Sequence, residues 1–329
     1  MTSRLGLGFN PVLSVRGAVS QAQKAEALNY DSIWFHESLY QRDVISYVSS
    51  ILMSTSRIVA ASGVLNTFTR HPITAAATFA SLNELSGGRV VMGVGLGSFP
   101  TVPKIGFKIF PVSETKPLRR ISEYVRIVKD FWAGENLSFK GEFFTAENIQ
   151  FDGKLEDKIP LYIASLSPKT LAFAGAHADG AILSPALSTV ETTSRMIELV
   201  RKGERPTSRS VDKASYMLTS VDPDGAKARD VVRNFYFFLY QLSEVIKPET
   251  LEGYGVTLDS IERFRMAWKR GDSEAKRLVP DAAIDALSIS GTRDEALSRI
   301  AKYRSAGVDL PIIMPVGNVN YAIEALAPS

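Results

Sequence analysis

The feature that most constrains this chain is a βαβ pattern between Arg57 and Ser98. Apolar runs at Ile58 to Ala61 and Arg89 to Val94 lack the polar alternation of a sheet with one solvated face, so we expect strands buried on both sides. Between them, Pro72 opens a helical pattern that Ser86-Gly87-Gly88 ends. A strand, a helix and a second strand in this order require parallel pairing.

The same alternation continues along the 329 residues. We predict eight strands, at 5–9, 31–35, 58–61, 89–94, 160–164, 179–183, 214–221 and 310–314. Helices are expected between strands at 15–29, 44–53, 72–86, 119–133, 168–177, 189–202 and 292–305. Eight alternations fit an α/β fold of the (β/α)8 barrel type, and a single domain over 1–329 is within the size range of that fold.

Two segments depart from the alternation. Residues 135–158 contain two β-like runs and are predicted to form an inserted surface hairpin. Residues 222–287 are predicted to be a helical insertion that begins with a long helix at 226–246. The aromatic face of this helix includes Phe235, Phe238 and Leu242. Burial against the barrel and a subunit interface both explain such a face. The segment 106–118 is predicted to be a loop.

Composition excludes several classes of protein. The formal charge of +3 is spread along the chain without a basic block, so nucleic-acid binding is not expected. The absence of cysteine excludes disulfides, thiolate catalysis and iron–sulfur clusters. The three histidines lack the spacing of metal ligands, so no metal site is predicted. We find neither an export signal nor a run of the ~20 apolar residues that span a bilayer, and expect a cytoplasmic protein.

Small, polar and glycine residues follow two neighbouring predicted strands. Strand three runs into Ser62-Gly63-Val64-Leu65-Asn66-Thr67, and strand four ends as Gly93-Val94-Gly95-Leu96-Gly97-Ser98. Ligands bind at the carboxyl ends of parallel strands, and glycine lets a flat or phosphorylated ligand approach the backbone. Tight turning alone would also explain each cluster. Their occurrence on adjacent strands favours one shared binding site.

Two other strand ends carry reactive groups. His36 and Glu37 follow strand two, where an imidazole and a carboxylate can exchange protons with a substrate. The alternative is that Glu37 caps a loop while His36 packs. Ser165 follows strand five, and the helix at Pro168 points free N–H groups to the same side, so this end is a candidate phosphate site. Ser184-Pro185 ends strand six nearby.

These segments together resemble the luciferase-like superfamily, whose members are (β/α)8 barrels that use flavin mononucleotide (FMN) or the deazaflavin coenzyme F420. Within it, the chain resembles the F420-dependent branch and its methylenetetrahydromethanopterin reductase family. The matching stretches are DSIWFHESLYQRDV, SGVLNTFTRHPITAAATFASLNELSGGRVVMGVGLGS, IPLYIASLSPKTLAFAGAHADGAILS and ALSISGTRDEALSRIAKYRSAGVD. The resemblance implies an F420-dependent oxidoreductase that acts on a small molecule, such as a pterin or folate-like carrier. It also implies a homodimer or higher homo-oligomer.

The resemblance assigns roles to particular residues. It implies a non-proline cis peptide bond within Ser62-Gly63-Val64, in a bulge that supports the coenzyme ring. Glu37 matches an acidic position of the family, and His36 and Glu37 are the predicted proton donors. The predicted coenzyme-binding residues are Ser62, Gly63, Val64, Asn66, Thr67, Gly95, Gly97, Ser98, Ala164, Ser165, Leu166, Gly180 and Ala181.

Two positions depart from the reductase pattern. Gly8 and Ser98 stand where the resemblance implies carboxylates near the reacting centre. Their replacement bears on the pterin reaction more than on coenzyme binding. An FMN-dependent monooxygenase and a coenzyme-binding barrel without catalytic activity are therefore kept as alternatives.

Overall fold

The computed structural model describes residues 4–10, 12–38, 40–96, 116–153, 155–183 and 187–328. The strands are β1 (Gly6–Phe9), β2 (Ser32–Phe35), β3 (Val59–Asn66), β4 (Val90–Gly95), β5 (Leu137–Lys140), β6 (Thr145–Ile149), β7 (Leu161–Ala164), β8 (Gly180–Ile182), β9 (Asp212–Val221), β10 (Ile289–Gly291) and β11 (Leu310–Pro315). The helices are α1 (Val15–Ala27), α2 (Val44–Ser54), α3 (Pro72–Ser86), α4 (Pro117–Trp132), α5 (Pro168–His177), α6 (Val190–Glu204), α7 (Gly225–Arg233), α8 (Tyr236–Glu244), α9 (Leu258–Lys269), α10 (Asp281–Leu287), α11 (Arg293–Ser305) and α12 (Val319–Ala325).

The strand order confirms the predicted fold class. β5 and β6 form the predicted antiparallel hairpin, and the other strands form one sheet in the order β10-β9-β11-β1-β2-β3-β4-β7-β8, with a further pairing between β9 and β8. The eight predicted strands are β1, β2, β3, β4, β7, β8, β9 and β11, and they make a (β/α)8 barrel. β10 is a three-residue strand that pairs in parallel with β9 and has no counterpart among the predicted strands.

The chain divides into two compact units. One comprises Phe9–Ile182 and Glu198–Asp212, and is called the β2–β8 unit below. The other comprises Met1–Gly8, Leu183–Ile197 and Lys213–Ser329, and is called the β9–β11 unit. The predicted single-domain organisation stays a prediction.

In the β2–β8 unit, the predicted βαβ pattern is confirmed. α3 begins at Pro72 and ends at Ser86, and its C-cap Gly87 has a φ of +61°, the left-handed conformation that glycine favours. Burial on both faces explains the apolar strands: every residue of β2 and β4 is buried. The hairpin is fixed to α4 by the Glu123 carboxylate, which accepts the N–H groups of Glu142 and Phe143 at 2.9 Å each.

In the β9–β11 unit, the predicted long helix at 226–246 is wrong. The chain forms α7 and α8 instead, separated at Asn234 and Phe235. Phe238 and Leu242 are fully buried in a core that α9 and α10 complete, and Phe235 packs against the same core. Burial is thus the right explanation for this face. Phe238 and Leu242 are core residues because α9 and α10 cover them within the same chain, while a subunit interface on the rest of this helical region stays a prediction.

Several predictions fall outside the described residues. Gly97, Ser98, Ser184 and Pro185 are among them, as is most of the predicted loop at 106–118. Within the described ranges, no helix is both long and apolar enough to cross a membrane.

Candidate active site

A bulge in β3 forms the centre of the candidate site. The pairing of β3 with β4 shifts register between Ser62 and Leu65, so β3 carries one extra residue there. The peptide bond between Gly63 and Val64 is cis, which confirms the non-proline cis bond that the resemblance implies. From residue 62 to residue 66, only Val64 is partly exposed. Its side chain is therefore the surface that this bulge offers to a ligand.

The bulge also determines two glycines of β4. The Ser62 hydroxyl donates to the Gly93 carbonyl oxygen and accepts from the Gly93 N–H, each at 3.0 Å. A Cβ at Gly93 would lie 2.2 Å from the Ser62 carbonyl oxygen, and a Cβ at Gly95 would lie 2.8 Å from a methyl of Val64. Neither position has room for a side chain, because residues of the β3 bulge occupy the space that a Cβ would need. Coenzyme contact at Gly95 stays a prediction.

The Glu37 carboxylate organises the loop after β3. Its Oε2 accepts the Asn66 N–H at 2.7 Å and its Oε1 accepts the Arg70 Nε at 2.5 Å, while the side chain is only 7% exposed. Arg70 also pairs with Asp43, the N-cap residue of α2. Burial acts to lower the pKa of Arg70, but its two carboxylate partners outweigh this effect and leave the pKa raised. Both Glu37 oxygens are thus already acceptors.

Sequence reasoning missed Arg70. The signal that could have found it is a cation in the loop after strand three, because that loop meets the carboxylate after strand two at the same edge of the sheet. The loop is further ordered by Asn66, whose Oδ1 accepts the Phe68 N–H at 2.8 Å. The Thr67 N–H donates to the Gly95 carbonyl oxygen at 3.0 Å.

His36 lies beside Glu37 at the end of β2 but differs from it electrostatically. Burial lowers the pKa of His36 to about 4, so the imidazole is neutral at pH 7. A neutral imidazole offers one donor and one acceptor nitrogen. At neutral pH, His36 is therefore an uncharged hydrogen-bonding group at the end of β2, whereas the Glu37 carboxylate is occupied by the loop.

The beginning of α5 carries free polar groups. Ser165 Oγ accepts the Ser167 N–H at 3.0 Å, and Ser167, the N-cap residue, makes no side-chain capping bond. Pro168 has no N–H, and the following first-turn amides have no acceptor inside the helix. The hydroxyl of Thr170, a residue that is 2% exposed, has no hydrogen-bond partner. This end of α5 therefore has donors available for an anion, and the phosphate site at this end stays a prediction. Sequence reasoning did not identify Thr170.

A second orphaned hydroxyl lies at the end of β3. Thr67 is 1% exposed and its Oγ1 has no hydrogen-bond partner. A buried hydroxyl without a partner costs free energy, and such groups in native proteins call for an explanation such as a ligand. Thr67 and Thr170 thus mark the carboxyl ends of β3 and β7 as places where a ligand's polar groups fit.

The remaining predicted residues divide between strand ends and strand interiors. Ala164, the last residue of β7, and Ser165, which follows it, are partly exposed, and Leu166 is 58% exposed. Gly180 and Ala181 are buried, and Gly180 is the first residue of β8, at the amino end of that strand. A Cβ at Gly180 would lie 2.4 Å from the Tyr162 ring. The structure therefore does not bring Gly180 to the strand ends that carry the other candidate residues.

The bulged strand, the buried parallel sheet and the polar strand ends define an α/β barrel with a candidate ligand site at the carboxyl ends of its strands. The family model described as luciferase-like monooxygenase matches residues 4–310. The chain belongs to this luciferase-like family, and the resemblance found in the sequence is confirmed.

Individual relatives match almost the whole chain. A 5,10-methylenetetrahydromethanopterin reductase of Methanolobus tindarius is 29% identical over 92% of this chain and 91% of its own length. An F420-dependent glucose-6-phosphate dehydrogenase of Amycolatopsis mediterranei is 24% identical over 89% and 86%. Among solved structures, the coenzyme F420-dependent tetrahydromethanopterin reductase from Methanopyrus kandleri superposes with a TM-score of 0.87, at 22% identity over 99% of this chain and 98% of that one.

Proposed function

We propose that the protein is an F420-dependent oxidoreductase that transfers a hydride between the deazaflavin and a small organic substrate, as methylenetetrahydromethanopterin reductases do. The observation that carries the proposal is the bulge at Val64, together with the hydroxyls of Thr67 and Thr170 that lack hydrogen-bond partners after β3 and β7. The relatives named as F420-dependent enzymes and reductases support the choice of coenzyme.

The residues present fit this coenzyme. Val64 offers an apolar surface for a flat ring, and Thr67 offers an unused hydroxyl beside it. Ser165, Thr170 and the first-turn amides of α5 suit a phosphate, because a helix N-terminus stabilises negative charge. When bound, the coenzyme supplies the hydride chemistry, while the chain supplies orientation and a proton-exchanging group.

His36 is our choice for the proton-exchanging group. Burial keeps the imidazole neutral at pH 7, so a nitrogen lone pair is free to take a proton from a substrate that is being oxidised and to return it when the substrate is reduced, but with a pKa of about 4 His36 is a weaker base than a solvated imidazole. Replacement by asparagine should lower turnover by about 100-fold while coenzyme affinity stays the same. Unchanged turnover in this variant would exclude His36 from this role, whereas a wild-type protein that binds F420 but shows no turnover would favour the alternative of a coenzyme-binding barrel without activity.

Glu37 is the second predicted proton donor, and its contacts support a positioning role instead. Its oxygens hold the Asn66 N–H and the Arg70 guanidinium, which a proton transfer would disturb. The Glu37→Gln variant distinguishes the two roles. A positioning residue should lower coenzyme affinity and leave the pH dependence of turnover unchanged, whereas a proton donor should remove one limb of the pH profile.

The coenzyme itself is tested by titration. Binding of F420 and of FMN to the purified protein can each be followed by intrinsic fluorescence, and F420 should bind at least tenfold more tightly. Tighter binding of FMN, together with oxygen consumption in the presence of reduced FMN, would support the monooxygenase alternative instead.

The packing around Gly8 bears on which substrates the protein can bind. A Cβ at Gly8 would lie 2.6 Å from the Tyr216 ring and 3.1 Å from Met314. The strand-one carboxylate of the reductase pattern therefore has no room in this chain unless Tyr216 moves. We infer a small organic substrate whose binding does not use that carboxylate, and a pterin carrier is the first compound to test by steady-state kinetics.

Self-association and location stay predictions. Tyr236 is 68% exposed and Met266 54% exposed on the helical insertion, and the Tyr236 ring lies 5.8 Å from that of Trp268. This apolar surface supports a homodimer or higher oligomer. Light scattering should give at least twice the chain mass of 36.0 kDa. Cell fractionation tests the predicted cytoplasmic location.

A further inference from the structure

The guanidinium of Arg120, in the first turn of α4, lies between aromatic rings. Its Cζ is 4.3 Å from the centroid of Phe68, 4.2 Å from that of Phe143 and 5.5 Å from that of Phe144. Phe68 belongs to the loop after β3, and the two other rings belong to the hairpin turn. These contacts favour a cation, but they supply no hydrogen bonds. The buried Nε of Arg120 has no hydrogen-bond partner.

The described carboxylates around Arg120 are committed to other groups. Glu123 is 3% exposed, pairs with Arg119 at 2.7 Å and accepts two N–H groups of the hairpin turn. Glu37 pairs with Arg70, and Glu142 pairs with Lys116. Burial lowers the pKa of Arg120, against a smaller opposing effect of Glu123. Within the described residues, a half-buried positive charge is thus left without an ion-pair partner.

An orphaned phenol accompanies this charge. Tyr124 follows Arg120 by one helical turn, so the two side chains share a face of α4. Tyr124 is fully buried, its ring centroid lies 5.7 Å from that of Phe144, and its hydroxyl has no hydrogen-bond partner. Burial first, and then the charge of Glu37, raises the pKa of Tyr124, against an opposing effect of Arg70. The phenol therefore stays protonated and can donate.

We propose that Arg120 and Tyr124 form a subsite for an oxyanion, a carboxylate or a phosphate, carried by a ligand that binds beside the loop after β3. A guanidinium presents planar donors that match an oxyanion, and the phenol adds one more. Phe68 directly follows Thr67, so the subsite adjoins a residue of the proposed coenzyme site, and to that extent it rests on the proposed function. The oxyanion belongs either to the acidic side chain of the coenzyme or to the substrate.

Arg126 is a matched control on the same helix. It lies six residues further along α4, and its Cζ is 5.4 Å from the centroid of Phe139. Unlike Arg120, it is 69% exposed and pairs with Asp130 at 3.4 Å. Both substitutions remove a cation that lies above an aromatic ring. The cation lost in Arg126→Gln has a counter-ion, whereas the cation lost in Arg120→Gln has none among the described residues.

The experiment measures thermal shifts of the coenzyme-free protein with inorganic phosphate or glutarate, against chloride at equal ionic strength, because specific binding raises Tm. Wild type and Arg126→Gln should show the same shift, and Arg120→Gln should lose it. Tyr124→Phe should weaken the anion effect while its anion-free Tm stays equal or rises, since an unpaired hydroxyl is removed. If Arg120→Gln does not fold, Arg120→Lys serves, because it keeps the charge but loses the planar fork.

Two coenzyme titrations identify the source of the oxyanion. F420 and its ring-and-ribityl fragment, which lacks the phosphate and the acidic side chain, are titrated into each variant. An Arg120→Gln protein that binds F420 at least about tenfold more weakly, but the fragment equally well, supports the coenzyme as source. Unchanged F420 affinity with a lost anion shift supports the substrate. An anion shift that persists in Arg120→Gln, or is absent from wild type, overturns the proposal, whether or not F420 binds.

Discussion

The amino and carboxyl ends of the strands in the β2–β8 unit differ in how many of their buried polar groups have hydrogen-bond partners. Near the amino ends, Arg89 donates to the carbonyl oxygens of Leu52, Thr55, Ile58 and Ser86 and to the Thr55 hydroxyl. The Glu26 carboxylate there accepts the N–H groups of Ser56, Arg57 and Ile58. These polar groups are all used within the protein.

Near the carboxyl ends, buried polar groups lack partners. Among the described residues, four buried side-chain atoms without a hydrogen-bond partner lie on the loop after β3 or in the amino-terminal halves of α4 and α5. They belong to Thr67, Arg120, Tyr124 and Thr170. Another such atom is the amide oxygen of Asn83, in the last turn of α3.

The difference separates stability from binding. A satisfied polar network fixes the fold, whereas an unsatisfied one lowers the stability of the ligand-free protein and becomes useful when a ligand supplies the missing partners. A cavity of about 450 Å³ near the amino ends also has satisfied charges. Two cations that line it, Lys158 and Arg209, both form ion pairs with Asp179. Substitutions at the amino ends should therefore change stability, and those at the carboxyl ends should change affinity.

The largest change in stability should come from Gly93→Ala, because Gly93 lies against the β3 bulge between the two ends of the strands. The added methyl would meet the Ser62 carbonyl oxygen, so the bulge must move and the free energy of unfolding should fall by about 3 to 4 kcal/mol. Urea denaturation measures this. Gly17→Ala is the control, since its methyl meets only the Ser14 hydroxyl and alanine favours a helix. Equal stability of the two variants would show that the bulge does not restrict the residue at position 93.

Arg89→Met should lower the free energy of unfolding by about 3 kcal/mol, because several backbone carbonyls near the amino ends lose their donor. Affinity for F420 should stay within twofold of wild type in fluorescence titrations at a temperature where the variant is folded. A large loss of affinity without loss of stability would contradict the division between the two ends.

His36 should make stability depend on pH. Its pKa is about 4 in the folded protein and 6.5 in the unfolded chain, so the unfolded state binds the proton first as the pH falls. Stability is full above pH 6.5 and should decline between pH 6.5 and about 4, by roughly 2 to 3 kcal/mol in total. His36→Asn should flatten this part of the profile. An identical slope in the variant would assign the effect to other groups.

The smallest effects should come from the orphaned hydroxyls. Thr170→Val and Thr67→Val should each raise the free energy of unfolding by about 1 kcal/mol and weaken F420 binding by about tenfold. Thr55→Val is the matched control, because the Thr55 hydroxyl donates to the Ile51 carbonyl oxygen at 2.7 Å. That variant should lose stability and keep its affinity. Reversed behaviour of the two kinds of threonine would refute the comparison.

The eight barrel strands could be predicted because each is a short apolar run bounded by loop residues, and burial on both faces leaves a clear signal. The break between α7 and α8 could not, since it depends on packing against α9 and α10. The residues around the bulge were found by resemblance and strand position. Thr170, Tyr124 and Arg120 were not predicted as site residues. A polar group without a hydrogen-bond partner can be recognised only when its neighbours in the folded protein are known.

The sequence by itself determined the alternation of strands and helices, the carboxyl-end location of the polar loops and the family, since all three depend on local pattern. Only the tertiary structure decided what each polar residue does. It placed Glu37 against Asn66 and Arg70, buried His36 enough to keep it neutral, and filled the space beside Gly8 with Tyr216. These outcomes depend on distances between residues far apart in the chain, and such distances exist only after the barrel has formed.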